Sequence, residues 1–436
     1  MLSEKKKSDQ RQLFRTTRRN FLGLGAGLAT SAGLFALLNK RHLASAATNK
    51  ALASTGMDGA IVKQLEISKG MFGTTEIVGE IKRISEDMHG FYQAAQGYYG
   101  EDAKNQIRRF IPKHPLGGAI SRMRTFIASE DAVDGEANPD KLSIPDPERM
   151  SEHIKKTGLF LKADAIGIGV LPKFALYTHK APPISKVLYE GTASLDDMTP
   201  VVNDHPYVIV ILVDQDLYTL KGSTGYDGIS GSQSMMSYLT SGMIACCLAG
   251  YIRNLGYNAR AHHCTNYQLV GTPCLISAGL GELSRIGDSV LHPVLGVRHK
   301  MAAVTTDLPL MPDKPIDFGL RDFCSKCMKC AEECPAGAIS MERDQTVFNG
   351  YKKWPHDIQK CTTFRVTNRD GSSCGRCLKV CPWNNKEKSW FHDVGKWAAS
   401  KFGKQGHLLK EVDDMFGFGN EAIAEYRWWL EFPELY

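Results

Sequence analysis

Beyond residue 46 the 436-residue sequence lacks an apolar run of the roughly 20 residues that a bilayer-spanning helix needs, so the body of the chain is expected to be soluble or peripheral. It also lacks a surplus of either charge there. The whole chain carries +6, but Lys5, Lys6, Lys7, Arg11, Arg15, Arg18, Arg19, Lys40 and Arg41, set against Glu4 and Asp9, give the first 46 residues a local +7 and leave the rest near −1. A body without a basic surplus offers no electrostatic footprint for nucleic acid or for an anionic membrane, and none is expected as a partner. A hydrophobic content of 43% is ample for a core, so disulfide staples are not required either.

What is present begins with the leader. A basic stretch, an apolar run from Phe21 to Leu38 and the small-residue site Ala44-Ser45-Ala46 form the pattern of a secretory signal. Thr17-Arg18-Arg19-Asn20-Phe21-Leu22 resembles the core of a twin-arginine signal, and the glycine-diluted apolar run followed by Lys40-Arg41 suits that pathway. Gly content argues against the alternative, a membrane anchor. Residues 1–46 are therefore expected to be an export signal for a chain that crosses the membrane already folded.

Eight of the twelve cysteines fall into two groups, Cys324-x2-Cys327-x2-Cys330-x3-Cys334-Pro335 and Cys361-x12-Cys374-x2-Cys377-x3-Cys381-Pro382. The first is the run of bacterial two-cluster ferredoxins, in which three closely spaced thiolates hold one 4Fe-4S cube and the fourth reaches the other cube. Crossing of this kind gives Cys324, Cys327, Cys330 and Cys381 to one cluster and Cys361, Cys374, Cys377 and Cys334 to the second. Cys361, twelve residues ahead of its group instead of two, is the ligand least fixed by the pattern. Tetrahedral zinc also uses CxxC pairs, but needs only four ligands and no proline after the last. Cys246, Cys247, Cys264 and Cys274 have no ligand spacing and are given no role.

Upstream, from about residue 150, strand and helix patterns alternate. "YVIVILVD" (207–214) has the continuous apolarity of a buried strand, and "SYLTSGMIACCLAGYIRNLGYNAR" that of a long helix stopped at Gly256. The fold class is α/β or α+β. Gly279, Gly281 and Gly287, with Ser284 between them, echo a dinucleotide fingerprint without its strand-to-helix frame and downstream acid, and are read as cofactor-binding positions where backbone approaches a large flat group. The adjacent His262 and His263 point apart on a strand and are not expected to share an ion.

The order of parts, a twin-arginine leader, a middle domain with "GLGELSR" and "VTTDLPL", and two ferredoxin groups ending in "CPWN", resembles a corrinoid- and iron-sulfur-dependent respiratory reductive dehalogenase. That resemblance implies a nitroreductase-like corrinoid-binding domain (151–315) followed by a ferredoxin-like domain with two 4Fe-4S clusters (316–390). Residues 47–150 would complete the corrinoid and substrate site, and 391–436 would be a C-terminal extension. It further implies a corrinoid held base-off without a histidine ligand, and no Asp-x-His-x-x-Gly pattern is present to supply one. The substrate would be a small organohalide. Partners would be a small integral-membrane anchor protein, an electron donor of the respiratory chain and the twin-arginine export machinery, with the enzyme peripheral on the outer face of the cytoplasmic membrane.

By the same resemblance the proton donor falls on Tyr238, its supporting cation on Arg298, with Lys300 as the competitor, and a polar contact on Asn266. A tyrosine beside a cation suits the task because positive charge stabilises the phenolate left behind. Tyr177, Trp383 and Trp390 are candidates for an aromatic substrate wall. Two other readings remain at this point: an epoxyqueuosine reductase-like enzyme, disfavoured by the leader and the charge, and an exported ferredoxin-type carrier, which has no use for some 270 residues ahead of its clusters.

Overall fold

The computed structural model describes residues 62–433 apart from 69, 110–112, 184–185, 188–191, 370–372, 385–405 and 416–418. The leader and Trp390 thus lie outside the described residues. Four strands, β1 (Ala165–Val170), β2 (Tyr207–Asp214), β3 (Ala259–His262) and β4 (His299–Thr306), pair in the order β1-β2-β4-β3. Every pairing is antiparallel, so of the two classes expected the sheet is α+β. Sequence periodicity missed the direction because β2 is buried on both faces, the usual mark of a parallel sheet. Here both faces are covered even though the strands run antiparallel.

The helices that cover them are α1 (Gly90–Ala95), α2 (Pro115–Phe126), α3 (Pro147–Phe160), α4 (Gly228–Asn254) and α5 (Gly271–Ser277). Alternation along β2 sends Ile209, Ile211 and Val213 toward Ile154 of α3 and Ile244, Leu248 and Ile252 of α4. Val208, Val210 and Leu212 go to the opposite core with Leu275 and Ile276 of α5. β1 sits tightly under α5 because Gly167 has no side chain: a Cβ there would meet the Ala278 carbonyl oxygen at 2.3 Å.

Helix α4 is capped at its start by the Asp227 carboxylate, which accepts from Ser230 N, and it ends before Gly256 at φ +87°, as the sequence predicts. It begins nine residues earlier than the apolar pattern indicates, in the small-residue stretch from Gly228. At 27 residues it is also long and apolar enough to cross a membrane by length and composition, which corrects the expectation that no such run exists after residue 46. Half of that apolar window is buried against the rest of the protein, as in a core helix.

The cysteine-bearing region is built from α6 (Leu320–Cys327), α7 (Lys329–Glu332), α8 (Ile358–Thr367), α9 (Arg376–Val380) and α10 (Gly406–Met415). α10 packs on α6, and its Asp413 makes a fully buried ion pair with Lys329 at 2.5 Å, with Asp414 also 2.7 Å from that ammonium. The aromatic C-terminal stretch packs on residues 217–222, where Arg427 Nε donates to the Gly222 carbonyl and the Tyr426 and Tyr218 rings lie 5.0 Å apart. It does not line the cavity described below.

Candidate functional site: two cysteine quartets and a cationic cavity

All twelve cysteines are free of disulfides. Cys324, Cys327, Cys330 and Cys381 lie close enough together to act on one another electrostatically, and so do Cys374, Cys377, Cys361 and Cys334. The grouping follows the crossing pattern, although Cys377 of the second set also acts on Cys330 of the first. Burial is the main cause that pushes the Cys324 thiol up to about 12 and that of Cys374 to about 11. Such thiols ionise only when a metal compensates the buried charge. Among the described residues no three His, Cys, Asp or Glu side chains stand close enough to chelate one ion. The donor set of each quartet, four thiols, is that by which proteins hold a 4Fe-4S cube.

The "GLGELSR" segment clasps this region. Glu282, 1% exposed, accepts from Phe318 N at 2.7 Å and Leu320 N at 3.3 Å, capping the start of α6. Arg285, equally buried, donates from Nε to the Cys324 carbonyl at 2.7 Å and from Nη1 to the carbonyls of Ser340 and Glu342, and stacks over Trp354. Neither residue was singled out from sequence, although both belong to the motif that carried the resemblance.

A cavity of about 400 Å³ opens between α4, β4, α8 and the 86–125 region. Tyr238 of α4 lines it, with Lys300 Nζ 5.1 Å from the ring centroid. Burial foremost pushes the Tyr238 phenol up, with Cys264 adding to the rise and Arg365 and Arg124 opposing it. Lys300 is pushed down to about 8, first by desolvation and next by Arg365, while Cys377 is near enough to act in the opposite sense. The second quartet therefore adjoins the cavity. Arg124, hydrogen-bonded to the Cys264 thiol, and Arg365, over the Phe91 ring, add two more cations to the wall. Glu86, raised to about 7 by burial, and Asp288 are the acids there.

Several sequence-predicted positions are placed elsewhere. Arg298 does not line the cavity; its guanidinium pairs with Asp214 at 2.8 Å, because β4 pairs His299 with Asp214 and brings that carboxylate alongside. Lys300, on the same strand and without a carboxylate partner among the described residues, is the cation at Tyr238. Asn266 is 1% exposed and spends its amide on the Ala128 carbonyl and Arg260, beneath the cavity rather than in it.

The glycines approach the chain itself rather than a flat cofactor. A Cβ on Gly279 would meet the Lys314 oxygen at 2.4 Å, on Gly281 the Leu291 oxygen at 2.2 Å and on Gly287 the Trp354 oxygen at 2.7 Å, each at positive φ. Ser284 Oγ closes its own turn on the Ser289 carbonyl. Tyr177 does line the cavity, whereas Trp383 is buried among Phe318 and Phe323 and donates to Pro293. His262 bonds Thr305, and His263 bonds the carbonyls of Cys264 and Ile127, so the pair shares nothing. Cys264, given no role from sequence, is a cavity residue; only its folded neighbours reveal that.

Residues at the mouth of α4 fit a large polar-rimmed cofactor. Both amide atoms of Gln233 and the Gln215 Nε2 are buried without a hydrogen-bond partner among the described residues. Buried amides left in this state are uncommon and point to a missing partner. A corrinoid, whose rim carries amide groups, has the complementary donors and acceptors.

A 4Fe-4S dicluster domain family matches residues 323–385. The tetrachloroethene reductive dehalogenase of Desulfitobacterium hafniense is 37% identical over 230 residues, 50% of this chain and 40% of that protein. That of Sulfurospirillum multivorans is 30% identical over 307 residues, 65% of this chain and 60% of that one. A solved structure of a reductive dehalogenase, reported with a mechanism for B12-dependent dehalogenation, superposes with a TM-score of 0.74 at 34% identity, covering 86% of this chain and 51% of that one. The chain thus spans about half the length of the relatives it matches. With its two cysteine quartets, its sheet and its cavity, the chain is similar in sequence and fold to the reductive dehalogenases over the half of their length that it spans.

Proposed function

We propose that the protein removes halide from a small organohalide, R-X + 2e⁻ + H⁺ giving R-H + X⁻, as the terminal step of an anaerobic respiration. Electrons enter through two 4Fe-4S clusters on the cysteine quartets named above. A corrinoid, base-off and without a histidine ligand, supplies the low-potential two-electron chemistry at the carbon-halogen bond when bound in the nitroreductase-like domain. The observation that carries this reading is the placement of Tyr238 and Lys300 in one cavity within electrostatic reach of Cys377.

Tyr238 holds the proton that the product needs: burial keeps its phenol protonated until reaction, and the Lys300 ammonium stabilises the phenolate that remains. Arg124, Lys300 and Arg365 give the departing halide a cationic surrounding. The aromatic rings of Phe91, Tyr92, Tyr177 and Tyr267 exclude water. Export by the twin-arginine pathway, a position on the outer face of the cytoplasmic membrane, docking on a small integral-membrane protein and supply by a respiratory electron donor complete the proposal; the leader sequence and the family support them. The test is protein purified anaerobically from its native host: cobalt, eight irons' worth of cluster absorbance and halide release from an organohalide are expected together. Protein lacking cobalt and iron, or holding only zinc, overturns the proposal.

A further inference from the structure

Two polar groups in the cavity wall are donors without an acceptor. Arg124 lines the cavity at 7% exposure, and two of its three nitrogens are engaged: Nη1 donates to the Cys264 sulfur at 2.6 Å and Nη2 to Ser121 Oγ at 3.1 Å. Its Nε is buried with no hydrogen-bond partner among the described residues. Thr265, the residue after Cys264, lines the same cavity, and its Oγ1 is also buried without a partner. The acids of that wall are occupied elsewhere, Glu86 by Ala181 N and Asp288 by Ser289 Oγ.

Thr265 also holds an uncommon backbone. Its φ is +95°, in the left-handed region where a β-branched residue is an outlier. The turn that imposes this runs from His263 to Asn266, with Asn266 N donating to the His263 carbonyl at 2.8 Å and His263 N to the Asn266 carbonyl at 3.4 Å. Asn266 is fixed in turn by the Ala128 carbonyl and by Arg260. At the third position of such a turn a positive φ is ordinarily given to glycine. Threonine there costs stability, and strain of this kind gathers at ligand sites, where the side chain supplies what glycine lacks.

We propose that Arg124 and Thr265 form an anion subsite that takes the halide once it has left carbon, an assignment that rests on reading the cavity as the place of dehalogenation. Cys264 and Ser121 are positioning residues that hold the two ends of the guanidinium. The halide departs with the electron pair of the broken bond and carries a full negative charge into a wall of rings, where it needs donors to stay. A halide accepts and cannot donate, so a buried guanidinium N–H and a hydroxyl, both unspent, match it.

The test uses anaerobically purified holoenzyme and reads Tm against millimolar sodium bromide, with sodium gluconate as the ionic-strength control, for wild type, Thr265→Ser, Thr265→Gly and Arg124→Gln. An anion that binds the folded state raises Tm as it saturates its site. Wild type and Thr265→Ser, which keeps a hydroxyl, are expected to show that gain. Thr265→Gly relieves the strain and should fold at least as stably, so its loss is read on an intact protein: half-saturation weakens by about tenfold or more, the weight of one charge-assisted hydrogen bond. Arg124→Gln should lose the gain; should that variant not fold, Thr265→Gly decides alone. Sodium acetate, run in parallel, stands for a carboxylate on the substrate, and tighter binding of acetate than of bromide would move the site from leaving group to substrate and overturn the assignment. So would no gain in wild type, or a gain as tight in Thr265→Gly as in wild type. Wild-type protein that binds bromide but lacks cobalt and releases no halide overturns instead the reading of the cavity.

Discussion

In the proposed function the Tyr238 phenol is the proton donor and the Lys300 ammonium its support, and each role is open to a separate test. Tyr238→Phe removes the proton but little volume, so cobalt and iron content should stay at wild-type levels while kcat falls by about 100-fold or more, the usual weight of a positioned general acid. Unchanged halide release in that variant would end the assignment. Lys300 gives the pH dependence. Its folded pKa of about 8 means that it is charged below that value and neutral above it. Activity is therefore expected to decline as pH rises through about 8, and Lys300→Arg, which stays charged throughout, should remove this alkaline limb from the pH-rate profile. The family pattern pointed to Tyr238, which the structure places in the cavity, but the choice between Arg298 and Lys300 was not legible in the sequence. That choice depends on Asp214, more than eighty positions away in the chain, pairing with Arg298 through strand register. Asn266 misled for the same reason, since the groups that bury its amide lie near residue 128.

Among the elements, the stretch from Gly279 to Ser289 is where sequence pattern and structural role parted furthest. Its glycines looked like a cofactor cradle because open backbone is all that a sequence shows of them. The structure uses them so that the turn can press on residues 290–291, 314 and 354–356, and it uses Glu282 and Arg285 to hold the helix that carries Cys324 and Cys327. Cluster cysteines were readable because three ligands of a cube lie within a few residues of each other; the clasp was not, because its partners are backbone carbonyls with no sequence signature. Arg285→Ala breaks hydrogen bonds from a buried cation to three carbonyls, each of a kind worth about 1.5–3 kcal/mol. A loss of at least about 3 kcal/mol in stability is expected, read as a lowered Tm together with faster loss of iron on dilution into chelator. Arg285→Lys should not rescue it, because an ammonium cannot fork to reach separate carbonyls. Iron retention equal to wild type in Arg285→Ala would show that the turn is not a clasp.

Across the whole molecule, the two quartets and the cavity have an order. The second quartet touches the electrostatics of Lys300 through Cys377, and the first lies with Arg285 and Lys329 on the side covered by α10. In the proposed function, electrons would therefore pass the second cluster last. Cys377→Ser is the sharpest test of that order. It should lose one cluster's worth of iron, keep its cobalt, and lose halide release driven by a reductant that enters at the first cluster, while the surviving cluster keeps its EPR signal. Cys324→Ser should lose the same amount of iron but leave the cluster beside the cavity, so a small strong reductant able to reach the cavity side would restore part of its turnover. The crossed ligand set proposed makes the comparison discriminating: Cys334 and Cys381 each stand in one sequence motif and would serve the other cube, so Cys334→Ser should match Cys377→Ser in the signal it removes rather than Cys324→Ser. Full iron in Cys377→Ser would break the ligand scheme, and a Cys334→Ser protein that loses the same signal as Cys324→Ser would uncross it.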